Sequence, residues 1–369
     1  MKTPIKTLLK PLSLALFVAA TLPTQNACNQ TSPSSNPPTQ TAHTQTSPPS
    51  DTIPAIGTSS HFCKAIGGPE SEEGHSLIQT SDGGYAIAGS TTSFGAGGGD
   101  VYVVKLNAKG NLQWTKTIGG PENEEGNFLI QTSDGGYVIA GATNSFGAGD
   151  KDVYVVKLDA HGNLQWTKTI GGEYYDEGTS LIQTSDGGYA IAGYTESFGA
   201  GEWDVYVVKL DAKGNLQWTK TIGGPGYEIG FSLIQTSDGG YAIAGSYHLV
   251  DDNESVANVV VKLDAHGNLQ WTKTIGGEYF DWGGPSLIQT SDGGYLIAGA
   301  TGSFGAGGLD VYVVKLDKNG NACCAVSQTS QVGTGGRLGS ATPSIGSGGT
   351  LTSPTPSTSS GGTLTTLCP

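Results

Sequence analysis

Between residues 61 and 326, apolar and polar positions alternate in short runs, and no window shows the sustained i, i+3, i+4 apolar spacing of an amphipathic helix. The first stretch holds four such runs, at 77–80, 85–89, 101–106 and 112–118, each bounded by Gly, Asn, Asp or Ser. That is the pattern of short antiparallel strands joined by tight turns. The whole pattern then recurs. The phrase Ser-Asp-Gly-Gly-Tyr begins at Ser81, Ser133, Ser185, Ser237 and Ser291, a spacing of 52 residues that lengthens to 54 in the last interval.

The turns carry their own chemistry. Ser81-Asp82-Gly83-Gly84 supplies glycines that accept positive φ between two strands, so it reads as a hairpin. Asn107-Ala108-Lys109-Gly110-Asn111, with later copies starting at Asp159, Asp211, Asp264 and Asp317, places one glycine late in a longer loop, which suits a type I turn followed by a bulge. A four-stranded unit repeated five times either stacks radially or extends as a linear array. Periods of about 40–50 residues favour the radial form. The prediction is an all-β, five-bladed β-propeller of four-stranded antiparallel blades spanning 61–326.

Particular phrases support this. Tyr-Ala-Ile-Ala-Gly from Tyr85, Asp-Val-Tyr-Val-Val from Asp100 and Trp114 in the fourth strand resemble kelch repeats, where a glycine ends strand two and a tryptophan marks strand four. The stretch from Val207 to Trp218 resembles PQQ-like propeller repeats in its Asp-Ala…Gly…Trp order. The unit is also similar to the Asp-Gly-Gly-Tyr and Trp-Thr-Lys-Thr-Ile-Gly-Gly repeats of bacterial surface proteins, from which no activity carries over. The first two resemblances cover about 61–326, and both imply a propeller.

The two ends of the array suggest a closure. His61 to Gly68 matches the fourth-strand phrase that runs from Gln113 to Gly120, with no three strands before it, while the last unit's own fourth strand is degraded to Asn321-Ala322-Cys323-Cys324. Residues 61–66 are therefore expected to complete or flank the fifth blade. That would bring Cys63 beside Cys323 or Cys324, and an oxidising compartment would permit a disulfide with one of them.

Composition narrows the setting. The chain's 59 glycines among 369 residues fit a turn-rich β fold. With 32 acidic against 18 basic residues the net charge is −14, and Arg337 is the one arginine. Nucleic acid, which needs clustered Lys and Arg, is excluded as a partner. Lys2, Lys6 and Lys10 precede the apolar run 14–20, the pattern of an export leader over 1–27, too short to span a bilayer. Two processing readings stand: cleavage after Val18-Ala19-Ala20, or lipidation at Cys28 in the manner of a bacterial lipoprotein. The product would be a secreted protein or a cell-surface or outer-membrane lipoprotein, touching the membrane only through that anchor. Residues 28–60, rich in Thr, Ser and Pro, read as a linker, and 327–369 as a low-complexity tail.

Antiparallel connectivity places the Ser-Asp-Gly-Gly and Asp-Ala-x-Gly-Asn turns on one face, and the Ser-Phe-Gly-Ala-Gly and inter-blade loops on the other. The second face carries nearly all the differences between copies, as binding faces on rigid scaffolds do. One acid per inter-blade loop aligns there, at Glu72, Glu124, Asp176, Glu228 and Asp281, predicted to ring the mouth of an axial channel. Either the ring attracts a cation such as Ca²⁺ or a positively charged partner, or each carboxylate accepts backbone N–H groups locally or pairs with a lysine such as Lys105 or Lys116. No cofactor beyond that ion is expected. Tyr175, Tyr227, Phe280 and Trp282 enrich the loops of the later units in aromatics that stack on sugars or anchor peptides, or else pack between blades. Trp114, Trp166, Trp218 and Trp271 are expected in the core. Motifs for nucleophilic, metal or phosphate chemistry are missing, so the chain is expected not to be an enzyme. The resulting reading is a tethered binding scaffold that recognises a surface glycan or protein through its variable face. The alternatives are a structural surface component without specific ligand and a glycoside hydrolase on a five-bladed propeller.

Overall fold

The computed structural model describes residues 61–224, 226–248, 256–276, 281, 285–304 and 308–322, with short strands at 331–333, 337–339, 344–346, 350–352 and 365–366. Cys28, Phe280, Trp282, Cys323 and Cys324 lie outside the described residues. Every regular element among those described is a β-strand, and the fold is an all-β, five-bladed propeller. Blade one comprises Glu72–Gln79, Tyr85–Thr91, Asp100–Leu106 and Leu112–Gly119, antiparallel and hydrogen-bonded in chain order. Glu124–Gln131, Asp176–Gln183, Tyr227–Gln235 and Ser286–Gln289 are the first strands of blades two to five. Each first strand packs against its counterpart in the next blade, so these are the inner strands.

The Ser-Asp-Gly-Gly hairpin is held by more than its glycines. Gly83, at φ 79°, donates its N–H to Thr80 O at 2.8 Å, and Thr80 N–H reaches Gly84 O at 2.9 Å. Asp82 then takes the Lys105 ammonium at 2.9 Å, and that lysine also donates to Leu106 O at 3.0 Å. The clamp recurs as Lys157 with Asp134, Lys209 with Asp186 and Lys262 with Asp238. In each pair the lysine is buried and the aspartate half in solvent, so the turn residue neutralises a cation inside the blade.

The hydrophobic core lies between blades. Ala86, Ala88, Val101, Val103 and Ile118 form the forward face of blade one and pack on Leu129, Tyr137, Ile139, Tyr154, Val156 and Leu158, the rear face of blade two. Equivalent residues build the next three junctions. The tryptophans expected in the core are half-buried at these junctions: Trp114 meets Tyr137 of the following blade edge-on at 5.7 Å, and Trp271 meets Tyr295 likewise at 5.6 Å. Polar bonds cross as well. Ser81 N–H reaches Gln131 Oε1 at 2.7 Å, and Ser237 N–H reaches Gln289 Oε1 at 2.8 Å.

The ends differ from the prediction. Blade five has three described strands, Ser286–Gln289, Tyr295–Thr301 and Asp310–Leu316. Lys64–Ala65, expected beside them, pairs instead with Thr365–Thr366 as a separate two-stranded unit. Cys63 is exposed. The tail contributes strands too. Gln331–Gly333, Arg337–Gly339, Ser344–Gly346 and Thr350–Thr352 add antiparallel to the outer strands of blades four, three, two and one, in that order. Each of those four blades thus gains a fifth strand.

Candidate functional site

Four of the five predicted ring acids are buried between blades instead of lining a mouth, while Glu72 is half-buried. Glu124, Asp176, Glu228 and Asp281 are at most 2% exposed. Glu124, Asp176 and Glu228 lie at the start of their own inner strands, and Asp281 precedes its strand by five residues. Glu124 Oε2 accepts from Gly120 N at 2.6 Å, and its Oε1 from Thr143 Oγ1 at 2.7 Å. Asp176 accepts from Gly172 N and Ser197 Oγ, both at 2.7 Å. Glu228 accepts from Gly224 N at 2.9 Å, and Glu72 from Gly68 N at 2.8 Å. Asp281 takes Ser303 Oγ at 2.9 Å. Their own N–H groups bond the preceding blade, for example Asp176 N to Lys151 O at 2.7 Å.

A second acid faces Glu124, Asp176 and Glu228 from the preceding blade. A methyl group placed on Gly119 would lie 2.2 Å from Asp100 Oδ1 and 2.3 Å from Glu124 Oε2, so the two carboxylates converge over one bare glycine. Asp152 with Asp176 and Asp204 with Glu228 repeat this over Gly171 and Gly223. Burial, with the facing charge adding to it, pushes Asp100 and Asp152 up to about 6 and Glu228 to about 7. Oδ1 of Asp152 and Oε1 of Glu228 are buried without a hydrogen-bond partner. Among the described residues, no group of three or more His, Cys, Asp or Glu comes together as a metal site.

Strand parity explains the displacement. Successive side chains point to opposite faces, so when Glu124 and Asp176 turn between blades, Glu125 and Glu177 turn to the other side of the strand. A bulge follows one residue later, between Gly126 and Phe128 and between Gly178 and Ser180, which re-aims Asn127 and Thr179. Asn127 Nδ2 donates to Glu177 Oε1 at 2.8 Å, and Lys151 Nζ lies 2.7 Å from Glu177 and 3.6 Å from Glu125.

Beside these charges runs a set of rings. Tyr194 stacks on Trp203 with centroids 4.7 Å apart, Trp203 meets Tyr227 edge-on at 5.4 Å, and Tyr227 lies 6.0 Å from His248. The Tyr194 hydroxyl donates to Glu177 Oε2 at 3.0 Å, which fastens the aromatic run to the carboxylates. Tyr174 and Tyr175 stand exposed on the same loop face, Tyr175 bridging to Lys151. Of the loop aromatics singled out from sequence, Tyr175 and Tyr227 belong to this surface.

Tyr194, Trp203, Lys151, Glu125 and Glu177 were missed. The signal lay in departures from the repeat inside strands: Tyr194 stands where the other units have Ser90, Ala142, Ser246 and Ala300, and Trp203 where they have Gly99, Lys151, Ala257 and Leu309.

No family model matches the chain. The regulatory protein FlaEY of Caulobacter vibrioides is 29% identical over 185 residues, 44% of this chain and 19% of its own length. The chain thus spans about a fifth of that relative. Similar solved structures include an endo-arabinase from Bacteroides thetaiotaomicron, 11% identical with a TM-score of 0.36 over 66% of this chain and 93% of that one. An α-L-arabinofuranosidase from Lactobacillus brevis gives 12%, 0.37, 68% and 92%, and an exo-β-1,3-galactanase from Clostridium thermocellum 14%, 0.37, 73% and 65%. The expectation that the chain is not an enzyme is corrected by these matches, since the structures it resembles are enzymes, a family-43 glycoside hydrolase among them. At such identities and TM-scores the likeness assigns this chain no activity. The resemblance to kelch and PQQ-like repeats is carried by propeller architecture alone.

Proposed function

We propose that this chain is an exported scaffold, tethered at the cell surface through Cys28, that binds a glycan on its loop face. The observation that carries the reading is the run Tyr194, Trp203, Tyr227 and His248 joined through the Tyr194 hydroxyl to Glu177. Aromatic faces stack on the apolar faces of sugar rings, and carboxylates alongside accept the hydroxyl donors that ring the same sugars. Lys151, held between Glu125 and Glu177, offsets part of the negative charge at that corner. The single arginine and the net charge of −14 fit a neutral or cationic ligand better than an anionic one.

The test is a glycan array with the full chain, followed by calorimetry on any hit and a parallel assay for release of reducing ends. Trp203→Ala is expected to weaken binding at least about ten-fold, as loss of a central aromatic anchor does. An array without hits, or a hit indifferent to both Trp203→Ala and Tyr175→Ala, overturns the reading. Tethering is checked separately: Cys28→Ser is expected to release the chain from the membrane fraction.

A further inference from the structure

The two ends of the blade stack are the two halves of a junction that the chain builds four times internally. On the forward face of blade five, Val311 and Val313 are 83% and 56% exposed, whereas Val101, Val153, Val205, Val103, Val155 and Val207 at the same positions are at most 1%. On the rear face of blade one, Leu77 is 66% exposed, whereas Leu129, Leu181, Leu233 and Leu287 are at most 3%. The sequences are not merely alike. Asp310-Val-Tyr-Val-Val repeats Asp100-Val-Tyr-Val-Val, and Leu77-Ile-Gln-Thr repeats Leu129-Ile-Gln-Thr.

The described parts of the two ends also match. Blade five has three described strands. At the rear of blade one, Ile66 packs on Tyr102, Val104 and Leu106 as Ile118 packs on Tyr154, Val156 and Leu158 one junction later. Gly68 N–H caps Glu72 just as Gly120 N–H caps Glu124. The rear face therefore carries the end of a fourth strand for a blade that would precede it. Asp310 stands at the position from which Asp100 faces Glu124, and Ser291 and Gln79 repeat the pair made by Ser81 and Gln131.

We propose that a second copy of this chain occupies this junction, the forward face of blade five docking on the rear face of blade one in the next molecule. Such a contact is heterologous and joins copies head to tail. The half-interfaces are preformed, so docking repeats a geometry the chain already folds.

The experiment uses the full chain and single substitutions at each end, Val311→Asp and Leu77→Asp, read by light scattering across a concentration series. The native chain is expected to give masses that rise with concentration beyond a dimer. Each variant alone has one spoiled end and can neither grow nor close, so it pairs at neither of its faces with another copy of itself and stays monomeric. Mixed in equal amounts, the two variants still hold one intact forward and one intact rear face, and are expected to form a dimer and nothing larger. Both positions are exposed in the single chain, so unchanged melting midpoints confirm folding, and Val313→Lys serves as a second forward-face variant. A native chain that is monomeric at every concentration, as sealing within one molecule would produce, overturns the proposal. So does a mixture that stays monomeric.

Discussion

At the scale of single residues, the Ser-Asp-Gly-Gly-Tyr phrase is legible as a turn but not as a clamp. Its aspartate grips a lysine 23 positions away, and nothing local announces that contact. The consequence is measurable. Asp134→Ala leaves Lys157 buried beside Thr132 without its counter-charge, and an uncompensated buried cation costs about 2–3 kcal/mol. Chemical denaturation is expected to show that loss, and Lys157→Met in the same chain to recover part of it by removing the charge. A single Asp134→Ala indistinguishable from the native chain would remove the clamp's role. The acidic positions teach a second lesson. Alignment found the acids, but whether a given acid or its neighbour turns between the blades is a matter of strand parity, and a shift of one residue exchanges the two faces.

At the scale of elements, the hairpins, their order and their spacing were all legible, because turn glycines and alternating runs are local signals. The inner-strand bulge was not. It is imposed by close approach: a methyl on Gly141 would sit 1.9 Å from Glu125 O, so the second strand has to be bare where the first strand bulges towards it. The tail strands were hidden for another reason. Their Gly, Ser and Thr content reads as linker, while Val332, Leu338, Ile345 and Leu351 come into register with Ile275, Ile222, Ile170 and Ile118, a repeat that shows only against the blades. Outer strands are open edges unless something covers them. Removing residues 327–369 is expected to speed amide exchange at those four isoleucines about ten-fold, the change that goes with about 1.4 kcal/mol of local protection, while the inner strands keep their rates. Equal rates in both forms would rule out a covering role.

At the scale of the whole molecule, the junction acids and the hairpin acids pull stability in opposite directions with pH. Asp100, Asp152 and Glu228 hold protons more tightly when folded than a carboxyl does in an unfolded chain, with values of about 6, 6 and 7. The folded state then binds more protons than the unfolded one between about pH 4 and 7, so stability falls as pH rises through that window. Asp82 and Asp186, down at about 2, do the reverse: their contribution is present above the ordinary carboxylate range and is lost as pH falls towards 2. The melting midpoint is therefore expected to peak at about pH 4, where the two windows meet, with Asp152→Asn flattening the alkaline side. A midpoint that climbs steadily from pH 5 to 8 would contradict the pairing of carboxylates at the junctions. The fourth junction, where Asn258 replaces the aspartate, already has the neutral form built in.

The tail visits the blades in reverse, from the fourth to the first. A chain leaving the ribosome makes blade one before the other four, yet the strand that covers its outer edge, Thr350–Thr352, emerges only after all of them. The oldest blade is thus the last to be finished, its edge standing open through the synthesis of all the others. A cut anywhere between blade five and Thr350 would leave the edge of the first blade uncovered, far along the chain from the break.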